Sequence, residues 1–283
     1  MTEAIIHPAQ LIRVVLVEPA GALNVGSVAR VLKNMGLKQL VLVNPQCDPL
    51  SAEARQMAVH AGDLLEAAQL VQSLPEALAG CQIAVATTGL DHTALEVKLE
   101  SPRTVLPWLV KSQIQSQIQA ALIFGREDRG LTKHELSYAQ RWIRIPTSPD
   151  YGSLNLAQAV AICCYELSQI WLQAEQADLE PDPLPNPRAD LASLEGYYQQ
   201  LEHLLLKIGY LYPHTAASRM EKFRLLLGRA QPSEAEVALC RGILRQTNWA
   251  LQQASRSEQA VDAVDLDIGL DTGLDTGAVD PEA

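Results

Sequence analysis

Aromatic side chains are scarce in this 283-residue chain, making up only 5% of it, with two Phe, four Trp and seven Tyr. Aliphatic packing must therefore fill the core, and the 48% hydrophobic content allows that. No stretch approaches roughly 18 uninterrupted apolar residues, so no membrane span is expected. The opening MTEAIIHPAQ lacks a basic start followed by a long apolar run, so no secretory signal is expected either. The cysteines (Cys47, Cys81, Cys163, Cys164, Cys240) form no CxxC pair and are odd in number, which reads as reduced thiols in a cytoplasmic protein. The six histidines show no HxxxH or HExxH spacing, so no metal site is expected. Also missing are GxGxxG and GxxxxGK[ST], which rules out a standard dinucleotide or nucleoside-triphosphate loop.

Acid is plentiful but unevenly placed. The net charge is -11, yet residues 255–283 alone hold eight acids against one arginine. Residues 200–250 hold seven Lys/Arg (Lys207, Arg219, Lys222, Arg224, Arg229, Arg241, Arg245) against four Glu. Such a balance argues against non-specific coating of nucleic acid, but not against a local RNA site.

Five short apolar runs read as strands buried on both faces: Ile12–Val17, Leu40–Val43, Ile83–Thr87, Ala121–Phe124 and Trp142–Ile145. Helical spacing falls between them at Ser27–Met35, Ala52–Ala68, Val105–Ile118 and Leu154–Gln173, and Thr132 with Glu135 forms a capping box. Alternating strands and helices imply an open, mostly parallel α/β sheet over residues 1–174. Residues 175–190, with five acids and four prolines, read as an extended linker. Three helices are expected over 191–254 as a small appendage, followed by a disordered acidic tail at 255–283.

In open α/β sheets, ligands bind beyond the carboxyl ends of the strands. Here four such ends carry small and polar residues: Glu18 to Arg30, Thr87-Thr88-Gly89, Gly125 to Leu131, and Ile145 to Asn155. Taken singly, each has a plain structural reading. Gly26-Ser27 suits a helix cap, Arg30 an exposed surface, Gly125 and Gly130 a turn, Glu127 a solvated loop, and Ser153-Leu154-Asn155 the cap of a long helix. Pattern alone thus gives a polar crevice of unspecified chemistry.

Together the loops resemble the SPOUT methyltransferases of the SpoU/TrmH branch. The resemblance rests on Asn24-Val-Gly-Ser-Val-Ala-Arg30, Gly125-Arg-Glu127-Asp-Arg-Gly130-Leu131 and Ser153-Leu154-Asn155, in order and each at a strand end. It covers about residues 10–173, and the helices after 191 look like the C-terminal extension of TrmJ-type tRNA (cytidine/uridine-2′-O-)-methyltransferases. The resemblance implies a C-terminal trefoil knot, a homodimer with the site at or near the subunit interface, and S-adenosylmethionine as methyl donor without a metal. Backbone groups of Thr87, Thr88, Gly89, Gly125, Ile145, Gly152, Ser153 and Leu154 would hold the donor. Arg30, Ser153, Asn155, Asn24 and Glu127 would form the reaction centre. The implied activity is 2′-O-methylation of a pyrimidine at nucleotide 32 of the tRNA anticodon loop. Arg126, Arg129, Arg141, Arg144 and the basic helices would attract the RNA, and Tyr151 either stacks on a base or packs in the core. The alternatives are a ribosomal-RNA 2′-O-methyltransferase, a non-catalytic RNA-binding protein on the same scaffold and, more distantly, a nucleotide-dependent oxidoreductase.

Overall fold

The computed structural model describes residues 8–89, 97–176 and 188–268. Seven parallel strands form one sheet: β1 (Ile12–Val17), β2 (Gln39–Val43), β3 (Gln69–Val71), β4 (Ile83–Thr87), β5 (Leu99–Glu100), β6 (Ala120–Phe124) and β7 (Arg141–Ile143). Their order across the sheet is β3-β2-β1-β6-β4-β7-β5. All five expected strands are present, two of them to the residue. β3 and β5 were not expected, because three exposed or partly exposed residues and a two-residue edge offer no apolar run to read. The last strand stops at Ile143, not Ile145, because both strands beside it end opposite Ile143, β4 at Thr87 and β5 at Glu100.

Alternate residues of the strands supply two cores. Ile12, Val14 and Leu16 point to the side covered by α1 (Ala22–Asn34), α2 (Ala52–Ala58), α5 (Pro102–Ser116) and α7 (Leu156–Gln176). Val15, Val17, Val41 and Ile123 point to the side covered by α4 (Leu74–Leu78) and α6 (Lys133–Leu136). Burial on both faces explains why the strands read as continuous apolar runs. The capping box forms as expected, with Glu135 N–H donating to Thr132 Oγ1 and Thr132 N–H to the Glu135 carboxylate.

Three helices depart from their sequence patterns. The expected helix Ala52–Ala68 is two, α2 and α3 (Gly62–Glu66), broken at Val59, whose φ is +55°. Lys33 Nζ donates to the His60 carbonyl and to Asp63, both at 2.7 Å, fastening that turn to α1. Helix α1 starts at Ala22, so Gly26 lies inside it and caps nothing. A Cβ on Gly26 would fall 2.1 Å from the Ala54 carbonyl oxygen, so this glycine lets α1 and α2 approach closely.

The helices α8 (Leu191–Lys207) and α9 (Pro213–Ala230) pack on the α4 and α6 side. The Leu191 N–H donates to the Cys81 carbonyl at 2.7 Å. The last helix, α10 (Glu234–Ile268), contributes Val237 to the main compact unit, while its residues from Leu239 to Ile268 belong to a second unit. It carries helix past residue 254 into what the sequence assigned to a disordered tail. No Gly or Pro interrupts the chain between Ala254 and Ile268, and Gly269 is the first breaker. Most of the expected linker, 177–187, and the tail from 269 lie outside the described residues. Among the described residues no helix is long and apolar enough to cross a membrane.

Candidate active site

β6, β4 and β7 are neighbours in the sheet, and their carboxyl ends lie level: Ala86 pairs with both Ile123 and Trp142, and Thr87 with Ile143. The loops that follow these three strands therefore meet in one place. They enclose a cleft of about 330 Å³, within the size range of small-molecule sites. All eight residues expected to hold a cofactor line it: Thr87, Thr88, Gly89, Gly125, Ile145, Gly152, Ser153 and Leu154. Phe124, Ile143 and Leu156 add an apolar wall that sequence reasoning did not assign to the site, although the last residues of two strands were natural candidates.

Backbone hydrogen bonds fix the cleft's shape. Thr88 N–H donates to the Ile143 carbonyl at 2.9 Å, and Thr87 Oγ1 to the Ile123 carbonyl at 3.1 Å. Gly125 is crossed at close range by its own loop: a Cβ there would lie 2.3 Å from the Gly130 carbonyl carbon and 2.4 Å from the Leu131 nitrogen. Gly130 has φ of +67°, the left-handed region that glycine occupies at no steric cost. So both glycines serve loop geometry, and that geometry forms the cleft wall.

The three sequence motifs are joined by one chain of side-chain hydrogen bonds. The Glu127 carboxylate accepts from the N–H groups of Ala20 (2.9 Å) and Gly21 (3.0 Å) and from Asn24 Nδ2 (2.9 Å). Asn24 Oδ1 in turn accepts from Asn155 Nδ2 at 2.9 Å. Asn155 Oδ1 accepts from the Ala157 N–H at 2.9 Å and so also caps α7. One residue thus caps α7 and joins two of the motifs, although neither Asn24 nor Asn155 lines the cleft itself. Burial pushes the Glu127 pKa up, but the Ala20 N–H, the Asn24 amide and the Gly21 N–H outweigh it and hold the carboxyl below its ordinary value. Its place at the N-terminus of α1 favours the same charge.

That shift fixes a direction with pH. A carboxyl lowered on folding contributes stability above its unfolded pKa, and the contribution is lost as pH falls through the folded value. The Glu127→Gln variant places an amide where two backbone N–H donors need an acceptor. It should lose about 1–3 kcal/mol of unfolding free energy at neutral pH. The gap from the parent protein should close as pH falls below the ordinary carboxylate range, which urea titrations at several pH values would read.

The remaining expected residues are placed as follows. Ser153 is exposed at the cleft, and its hydroxyl has no partner among the described residues. Arg30 is exposed on α1, lines no part of the cleft, and makes no hydrogen bond or ion pair among the described residues. Tyr151 is 76% exposed, which decides against core packing. Several cations expected to face RNA are held in ion pairs. Arg129 bridges Glu18 (2.8 Å) and Glu135 (3.2 Å), Arg126 pairs with Asp128 (3.0 Å), and Arg141 binds Glu100 (2.5 Å). Burial pushes the Cys81 thiol up to about 11 and Cys163 up to about 12, which keeps both protonated and unreactive in the core.

Residues 11–165 match the SpoU rRNA Methylase family, and residues 192–259 match the C-terminal domain of the tRNA methyltransferase TrmJ. The chain is 40% identical over 238 residues to the tRNA (cytidine/uridine-2′-O-)-methyltransferase TrmJ of Klebsiella pneumoniae, covering 83% of this chain and 95% of that one. It is 39% identical over 242 residues to the tRNA (cytidine/uridine/adenosine-2′-O-)-methyltransferase TrmJ of Pseudomonas aeruginosa, covering 83% and 93%. The crystal structure of TrmJ from Z. mobilis matches with a TM-score of 0.73 at 28% identity, over 83% of this chain and 98% of that one.

Proposed function

This chain belongs to the SpoU rRNA methylase family and to its TrmJ group, and we propose that it methylates a ribose 2′-hydroxyl of tRNA with S-adenosylmethionine as donor. The nucleotide is a pyrimidine at position 32 of the anticodon loop. The enzyme works in the cytoplasm as a homodimer whose cleft lies at or near the subunit interface. One observation carries the reading: the Glu127–Asn24–Asn155 hydrogen-bond chain ties all three motifs to the rim of a cleft lined by every residue expected to hold the donor.

The cleft fits that donor. Phe124, Ile143 and Leu156 offer apolar surface for an adenine ring, and the glycine-rich loops bring backbone N–H and carbonyl groups within reach of its polar edge. Strand order supports a trefoil knot. β7 enters between β4 and β5, after the chain has already passed to the edge at β5 and back to the centre at β6.

The bound donor supplies an electrophilic methyl group. The protein's own task is to bring a 2′-hydroxyl, a poor nucleophile, into line and to stabilise the alkoxide as its proton leaves. Ser153 offers a free hydroxyl at the cleft to orient the ribose. Asn155, two residues after Ser153, ties the start of α7 to Asn24. Glu127 fastens the Gly125–Gly130 loop to the start of α1. Arg30 supplies the positive charge. A guanidinium is a poor proton acceptor, so it acts on the alkoxide or an RNA phosphate and not as a base.

Incubation with labelled methyl donor and tRNA, followed by mapping of the modified nucleotide, tests the reading. A ribose 2′-O-methyl group at position 32 is expected. Methylation of a base, or of ribosomal RNA alone, overturns it. The cleft assignment has its own test in Gly125→Ala. The added methyl group would overlap the Gly130–Leu131 peptide, so the loop must move at a cost of about 1–3 kcal/mol. Calorimetry should show donor affinity reduced by about five- to a hundredfold.

A further inference from the structure

The turn between α8 and α9 displays aromatic rings outward on a rigid backbone. Tyr210 is 53% and Tyr212 56% exposed, while Leu211 between them is buried. Leu211 plugs the core, so its two neighbours must face away. The turn is fixed on both sides. The Tyr210 and Leu211 N–H groups both donate to the Leu205 carbonyl at 3.0 Å, and Gly209 before them has φ of +75°. Pro213 then opens α9 with the φ its ring already imposes.

The rings are arranged with one another and with cations. Tyr212 and His214 stack, with centroids 5.9 Å apart and planes 22° from parallel. The Arg219 guanidinium lies 5.5 Å over the Tyr210 ring, and its Nη1 donates to the Tyr210 carbonyl at 3.2 Å. Lys207, His214, Arg219 and Lys222 are all exposed here. Residues 203–222 hold three Lys/Arg against one acid in a chain whose net charge is -11. Flat, exposed rings beside positive charge are what a single strand of nucleic acid requires: every base has a face to stack, and every phosphate seeks a cation.

We propose that Tyr210 and Tyr212, with His214 and Arg219 beside them, form a stacking platform for unpaired bases of the RNA substrate. This rests on the reading of tRNA as that substrate. The rigid turn matters energetically, because rings held outward in advance lose little freedom when a base settles on them. Stacking, unlike phosphate contact, releases no counterions.

The test uses the full chain carrying Tyr210→Ala with Tyr212→Ala, and a second pair with phenylalanine at both positions. Filter binding of tRNA is measured at low and high salt, donor binding by calorimetry, and assembly by sedimentation. The alanine pair should bind tRNA at least about tenfold more weakly, at the same salt slope and with unchanged donor affinity and assembly. The phenylalanine pair should stay within about twofold of the parent, since a phenyl ring stacks as a tyrosine ring does. The platform is overturned by parental tRNA affinity in the alanine pair, by equal loss in the phenylalanine pair, or by a change in assembly, which would make the turn a contact between copies. If the parent protein binds and methylates tRNA while the alanine pair does the same, only the platform fails. If the parent protein neither binds nor methylates tRNA, the functional reading fails and takes the platform with it.

Discussion

Arg30→Ala is expected to lower methyl transfer to tRNA by about a hundred- to a thousandfold, the usual cost of removing one donor aimed at developing negative charge. Donor affinity should be unchanged, because Arg30 lines no part of the cleft. Stability should also be nearly unchanged, because its side chain is exposed and makes no ion pair among the described residues. Single-turnover kinetics with saturating donor would separate the loss from tRNA binding. Arg30→Lys distinguishes two forms of the same role. A lysine keeps the charge but not the planar fork, so turnover close to that of Arg30→Ala indicates bidentate positioning. Recovery to near the parental rate shows that charge alone suffices. Parental turnover in Arg30→Ala would remove this residue from the reaction centre.

The α/β fold was legible because burial on both sheet faces leaves a strong mark in sequence. Ile12–Val17 and Ile83–Thr87 are continuous apolar runs, and both were located to the residue. Edges leave a weak mark, so β3 and β5 escaped notice: Leu70 is largely exposed, and Leu99–Glu100 is too short to show a pattern. The break at Val59 is tertiary in origin, held by Lys33 from a helix 26 residues earlier in the chain. Cleft residues were legible from their position after strand ends, given the resemblance that ordered them. Their mutual geometry was not. Sequence presented Asn24, Glu127 and Asn155 as three separate motif members, and only the fold shows Asn24 standing between the other two. Cations were read least well. Charge is visible in sequence, but whether an acid waits beside it in the fold is not, and Arg129 and Arg141 both turned out to be paired.

Arg224 is the sharpest case, and its replacement by alanine is expected to cost about 3–5 kcal/mol of stability. In sequence it is one of seven cations in a basic region that looks made for RNA. In the fold it is only 9% exposed, and its guanidinium makes a fork to Glu195, Nη1 to Oε2 at 2.5 Å and Nη2 to Oε1 at 3.0 Å. The rings of Tyr138 and Tyr198 each lie 4.5 Å from it. Burial pushes its pKa down, but Glu195 and the two tyrosines outweigh that and hold it above the ordinary value. Tyr138 follows α6 and Tyr198 lies on α8, so one guanidinium joins the sheet domain to both appended helices. Alanine would strand Glu195, with only 15% of its side chain exposed, and would remove two cation–π contacts at once. Urea unfolding should show the loss, and limited proteolysis should cut more readily around residues 188–233. Pairing Arg224→Met with Glu195→Leu should recover much of the stability, since an apolar pair of similar volume removes both charges together. Reduced tRNA affinity in Arg224→Ala with stability unchanged would instead place Arg224 on the RNA-binding surface, where its sequence context alone had put it.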